Sequence, residues 1–178
     1  MKGEMAGVIV VTHCRLGEEL IAAAELVVGE KLKQFQSVSI DPKEGSEEIR
    51  EKIIAAIRKV DEGQGVLILT DMYGGTPSNI SLSFLEEKKI EVITGVNLPM
   101  LLKLATYQDE KDLEELAVFI TDYGQRNINL ASKVLMYILV IPLVPVVDFL
   151  CTLPAAMAFI TRPKAFEITS KKGQADVQ

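Results

Sequence analysis

The chain has 178 residues, a formal net charge of −6 and a pI near 4.9. That length accommodates one domain of ordinary size with an appendage, and the acidic balance argues against nucleic-acid binding, which normally shows a basic face. The two cysteines, Cys14 and Cys151, are far apart and follow no ligand spacing, which argues against a disulfide framework or zinc site and for a reducing compartment.

The opening Met1-Lys-Gly-Glu-Met-Ala-Gly7 leads into only a few apolar residues, too few for the apolar region of a signal peptide, so the N-terminal domain is expected in the cytoplasm. Val8 to Val11 are apolar and β-branched, as suits a strand buried on both faces. From Arg15 the period changes: Leu16, Leu20, Ala24 and Val27, with Ile21 and Val28 beside them, form a helical stripe ending at Gly29. Phe35 to Ile40 interleaves apolar and polar residues as a strand, closed by Asp41-Pro42. Ile49, Ile53, Ile57 and Val60 mark one face of a second helix, with Ser46 predicted as its N-cap. Val66 to Leu69 is the next strand. Thr76-Pro77 opens a third helix, with threonine predicted as N-cap and proline in the first turn. Glu91 to Thr94 is a fourth strand, and Asn97 caps the helix after it, with Pro99 in its first turn. Asp109 to Ala131 is predicted as a final helix carrying Leu113, Leu116, Ala117 and Ile120, broken near Gly124.

This alternation of strand and helix implies parallel strands joined by right-handed crossovers. In such a sheet, ligands bind where the strand order reverses, at the carboxyl ends of neighbouring strands. Two segments have the composition of such ends. His13, the chain's only histidine, follows the first apolar run, and Asp71 follows the third in Thr70-Asp71-Met-Tyr-Gly74-Gly75-Thr76-Pro77-Ser78-Asn79. Neutral imidazole is nucleophilic near pH 7, its unperturbed pKa being about 6.5, and so suits phosphoryl carriage. A carboxylate beside it fixes the tautomer and stabilises the cationic ring, as in a hydrolase triad. Gly74 and Gly75 let backbone N–H groups turn toward an anion, and a helix start at Thr76 adds partial positive charge. The bland alternatives are a histidine hydrogen-bonded to backbone, an aspartate capping its own turn and a tight strand-to-helix turn. The pairing of the two segments favours the chemical reading.

Thr12-His13, Asp71 with Gly74-Gly75-Thr76-Pro77-Ser78-Asn79, and Val92-Ile-Thr-Gly95-Val-Asn97-Leu-Pro99-Met-Leu-Leu102 occur in order and with compatible spacing. Together they resemble the enzyme IIA domain of the mannose family of the phosphoenolpyruvate:sugar phosphotransferase system, over roughly residues 5 to 132. The resemblance implies an open, mainly parallel α/β sheet of strand order 2-1-3-4 with helices on both faces, and a homodimer. It implies that His13 takes a phosphoryl group on Nε2 from the phosphohistidine of the small carrier protein HPr and donates it to a histidine of an enzyme IIB protein. His13 and Asp71 would be catalytic, and Gly74, Gly75 and Thr76 would hold the phosphate. No metal or organic cofactor is needed, because each step exchanges one phosphohistidine for another. The family commonly has glycine directly after the histidine, where this chain has Cys14. Glycine there would supply positive φ or close approach, which cysteine does less readily. A nucleophilic Cys14 would need a base, and there is no second histidine. Arg15 is either a phosphate partner or a solvated charge.

Two regions are expected: a phosphocarrier domain over 1–132 and an apolar tail over 133–178. From Val134 to Val147 there is no charged residue, and the apolar character continues to Ile160. That length suffices for a bilayer span, but Pro142, Pro145 and Pro154 interrupt it, and the basic flank Arg162, Lys164, Lys171 and Lys172 lies on the wrong side for a single span. Two readings stay open: membrane association at the inner face of the plasma membrane, favoured by apolar length, and packing on a dimer surface. The expected function is phosphoryl carriage for sugar uptake or for signalling carbon status. The alternatives are a phosphocarrier subunit feeding a dihydroxyacetone kinase, and a regulatory module whose histidine is never phosphorylated.

Overall fold

A computed structural model describes residues 6–86, 89–107 and 112–134. The chain divides into two compact units, Met1–Ile128 and Asn129–Gln178. In the second unit the described part is a single turn, with the amides of Lys133 and Val134 donating to the Leu130 carbonyl at 2.9 and 3.2 Å. Apart from Val134, the apolar run to Ile160 lies outside the described residues, as do Cys151 and Asp109. Among the described residues no helix is long and apolar enough to cross a membrane.

The first unit runs β1 (Gly7–His13), α1 (Leu16–Val28), β2 (Phe35–Ile40), α2 (Ser46–Val60), β3 (Val66–Thr70), α3 (Thr76–Leu82), β4 (Ile90–Thr94), α4 (Leu98–Ala105) and α5 (Leu113–Arg126). The four strands are parallel in the order β2-β1-β3-β4, as the family resemblance implied. Side chains alternate between the two sheet faces with a period of two. Val8, Val10, Leu67, Leu69 and Ile93 therefore join a core with Ala24, Met100, Leu101, Leu104, Leu116 and Ile120. Ile9, Val11, Val38, Ile40, Val66 and Ile68 pack on the other face with Ile49, Ile53, Ala56 and Val60 of α2. The central strands are covered on both sides, which is why they contain no alternating polar positions.

Register sets the site. β1 and β3 pair from Gly7↔Val66 to Val11↔Thr70, whereas β1 and β2 stay paired as far as His13↔Ile40. β1 thus outruns β3 by two residues, and His13 stands beside the chain as it leaves β3 at Asp71.

Several predicted boundaries move. The first intrahelical bonds of α2 and α3 run from Ile49 N to Gly45 O (3.1 Å) and from Asn79 N to Gly75 O (2.9 Å). Gly45 and Gly75, both extended, are therefore the N-caps, and Ser46 and Thr76 are the first helical residues. The stripe predicted on α1 holds in its middle, where Ala24 is buried and Leu20 and Ile21 pack against the core, and fails at its ends, where Leu16 and Val27 are exposed. Gly17, outside the predicted stripe, is buried because the start of the helix lies close to β1. A Cβ at Gly17 would stand 2.9 Å from the Val10 carbonyl. The last helix begins at Leu113 under an Asp112 cap and ends at Arg126, short of Ala131. It does not break at Gly124, which is buried inside it against Met100. Asn97 caps α4 as predicted, accepting from Met100 N at 3.1 Å, and its Nδ2 donates to the Gly124 carbonyl at 3.1 Å.

Candidate functional site

The end of β1 is tied to three other elements through three consecutive residues. Thr12 is fully buried, and its Oγ1 accepts from the Gly17 amide of α1 at 2.8 Å. The His13 amide donates to Asp71 Oδ2 at 2.9 Å. The Cys14 amide donates to the Ile40 carbonyl of β2 at 3.0 Å. Between these anchors the chain turns through Cys14 at φ 50°, the one non-glycine residue with positive φ among those described.

Asp71 uses both carboxylate oxygens. Oδ1 accepts from the Met72 amide at 2.9 Å, and Oδ2 faces His13 Nδ1 at 2.7 Å while accepting the His13 amide. Burial pushes the Asp71 carboxyl upward, but the His13 amide, the His13 ring and the Met72 amide outweigh it and leave the carboxyl below its usual range. An ionised carboxylate only accepts hydrogen bonds, so this geometry favours the tautomer of the neutral ring that carries its proton on the facing Nδ1, with the lone pair on Nε2. The imidazole is 43% exposed and the Asp71 side chain 11%. The ring is thus accessible while the carboxylate facing it is shielded.

Gly74, at φ 81°, makes the turn out of β3, a conformation that L side chains rarely adopt. Gly75 is needed for a different reason. A Cβ on it would stand 2.9 Å from His13 Cε1 and 3.5 Å from Nε2, so its bare backbone forms one wall of the ring's seat. The structure therefore brings His13, Asp71 and Gly75 together, with Gly74 and exposed Thr76 flanking Gly75 along the chain. The first-turn amides of a helix have no intrahelical acceptor. In α3, Pro77 removes one of these donors and leaves those of Thr76 and Ser78. Arg15 is exposed and pairs with Glu18 at 2.8 Å and Glu19 at 3.7 Å.

Thr12 was legible in the sequence only as part of the Thr12-His13 motif, and its contact with Gly17 was not anticipated. Arg15 occupies the N-cap of α1 and makes no side-chain cap bond. A helix opening without Ser, Thr, Asp or Asn at its cap, just after a strand whose last two residues are Thr12 and His13, was the available signal.

The family model described as "PTS system fructose IIA component" matches residues 7–121. The mannose-specific EIIAB component of Escherichia coli K12 is 32% identical over 124 residues, 68% of this chain and 38% of that protein. This chain therefore spans about two fifths of that relative's length. The sorbose-specific EIIA component of Lacticaseibacillus casei is 33% identical over 110 residues, 61% of this chain and 78% of that one. In three dimensions the mannose/sorbose-specific IIA subunit from Enterococcus faecalis superimposes with a TM-score of 0.64 at 27% identity, covering 71% of this chain and 94% of that one. With the strand order and both motif-bearing strand ends in place, this chain belongs to the mannose-type enzyme IIA family of the phosphotransferase system.

Proposed function

We propose that His13 is a phosphoryl carrier between two phosphohistidine proteins, HPr as donor and an enzyme IIB protein as acceptor, serving sugar uptake or carbon-status regulation. The observation that carries this reading is the 2.7 Å approach of His13 Nδ1 to Asp71 Oδ2 on a ring that is 43% exposed. In the accepting step the Nε2 lone pair forms a P–N bond as the donor's P–N bond breaks, and the donor imidazole leaves with that electron pair. The Nδ1 proton stays on His13 facing Asp71, whose negative charge stabilises the ring as it becomes cationic. The donating step is the reverse. Backbone amides around Gly74, Gly75 and Thr76, with the Thr76 hydroxyl, hold the phosphoryl oxygens; the bare backbone of Gly75 beside Cε1 and Nε2 leaves room for them. The protein works in the cytoplasm as a homodimer. Residues 1–132 form the carrier domain, and 134–160 contact a membrane or a protein surface.

The test is transfer from phosphoenolpyruvate through enzyme I and HPr, read by mass. Wild-type protein should gain about 80 Da, one phosphoryl group, in an acid-labile, base-stable adduct that is absent from His13→Ala. An adduct persisting in His13→Ala removes His13 from the role. No adduct on wild-type protein leaves a regulatory binding module as the surviving reading.

A further inference from the structure

Why His13 is held at the angle that meets Asp71 is a question about the turn that follows it. Four residues, His13 to Leu16, separate Thr12 of β1 from Gly17 at the N2 position of α1, and the turn is closed by one side-chain hydrogen bond, from the Gly17 amide to Thr12 Oγ1 at 2.8 Å. That amide is one of the orphan donors every helix N-terminus presents. Its usual partner would be an N-cap side chain, and Arg15 at the N-cap makes no such bond. A strand residue five positions earlier takes the part instead. Gly17 makes the approach possible, since a Cβ there would lie 2.9 Å from Val10 O and 3.2 Å from Thr12 Oγ1.

Within this turn Cys14 stands at φ 50°. A cysteine keeps that conformation only where its surroundings over-determine it. Three anchors do so: Thr12 is tied to α1, the His13 amide to Asp71, and the Cys14 amide to Ile40. Of these anchors, the threonine's is fully buried and reaches neither His13 nor Asp71 directly.

We propose that Thr12 is a positioning residue for His13. Its hydroxyl locks the turn in the left-handed conformation that directs Nδ1 at Asp71 and leaves Nε2 as the reacting nitrogen. Without that bond Cys14 relaxes to negative φ, the backbone at His13 rotates, and the ring loses the carboxylate. The consequence for phosphoryl transfer depends on the function proposed above; the consequence for the ring does not.

The experiment exploits the single histidine. Nitrogen-15 NMR of the imidazole reports its tautomer without assignment ambiguity, and Thr12→Val is nearly isosteric but cannot accept the Gly17 bond. Wild-type protein should show the ring protonated at Nδ1. Thr12→Val should shift it toward protonation at Nε2 and slow phosphoryl acceptance from phosphorylated HPr about 10–100-fold, the scale of a small misplacement of a reacting group. That loss should fall on turnover and not on the donor concentration needed. Thr12→Ser, which keeps the hydroxyl, should restore both readouts. If Thr12→Val does not fold, Thr12→Cys, with its weaker acceptor, is read the same way. A variant without the bond that keeps the wild-type tautomer overturns the proposal, whatever its stability or rate. Failure of wild-type protein to accept phosphate, with the tautomer still shifted by Thr12→Val, refutes the carrier function alone and leaves the positioning role standing.

Discussion

At Asp71 one carboxylate does two jobs, pinning the backbone of His13 and orienting its ring. Asp71→Asn preserves the shape but loses the charge and turns one acceptor into a donor. It should fold yet accept phosphate from HPr more slowly, by less than the roughly 10⁴ lost on the same change in a hydrolase triad, because phosphohistidine exchange depends more on positioning than on proton removal. An unchanged rate in Asp71→Asn would return the residue to a structural role. Its lowered pKa also fixes the sign of a stability effect. What ionised Asp71 contributes is fully present above the unfolded value of about 3.9 and is lost as pH falls through the lower folded value. Thermal melts of wild type and Asp71→Asn should therefore differ at pH 7 and converge in acid. Cys14 is the other informative residue. An L residue in the left-handed region costs about 1–2 kcal/mol, and glycine returns about 0.5–1 kcal/mol of that through the unfolded chain. Cys14→Gly should raise stability by up to about 1 kcal/mol, visible as a Tm higher by about 2–4 °C; a lower Tm would mean that the turn is not strained.

Among the elements, α4 and α5 meet where three residues depend on one another. Asn97 caps α4 through the Met100 amide and reaches across to the Gly124 carbonyl, while Met100 packs on the bare backbone of Gly124. This explains why a glycine inside α5 does not end it. A Cβ at Gly124 would lie 2.1 Å from Met100 Cε and 2.8 Å from Cγ, so the methionine must move. Overpacking costs about 1–3 kcal/mol, and removing a mid-helix glycine regains about 1 kcal/mol. Gly124→Ala should therefore destabilise by up to about 2 kcal/mol in urea unfolding. Combined with Met100→Ala, the two changes should be strongly non-additive; additive losses would separate the two residues. The start of α1 follows the same logic of close approach. Gly17 faces β1, where a Cβ would stand 2.9 Å from the Val10 carbonyl, and Leu16 is left at the surface.

For the whole molecule, the motif-bearing residues all lie in the unit Met1–Ile128, and the family match ends at residue 121. A chain ended after Ser132 should fold and take up phosphate on His13 at the full-length rate. The run from Val134 to Ile160, left exposed, would be a far larger apolar patch than soluble monomers usually show. Vesicle flotation of the full-length and shortened proteins decides what covers it: co-flotation of the full-length chain alone identifies a membrane contact. A full-length chain that stays in solution, with a dimer weakened by shortening, identifies a protein interface.

The succession of strands and helices was readable from residue order because hydrophobic periodicity and turn chemistry are local. Four β-branched apolar residues at Val8–Val11, Gly29 past α1 and Asn97 before α4 each act over a few residues, and the structure has them where the pattern put them. The motifs around His13 and Asp71, with their order, were enough to indicate the family. Residue order could not show that β1 runs two residues past its pairing with β3, which is what sets His13 beside Asp71. Nor could it show that Gly75 seats the imidazole, that Gly124 yields to Met100, or that Thr12 caps a helix five residues on. Each of these is decided by how closely two backbones approach, a distance that depends on every layer packed behind them.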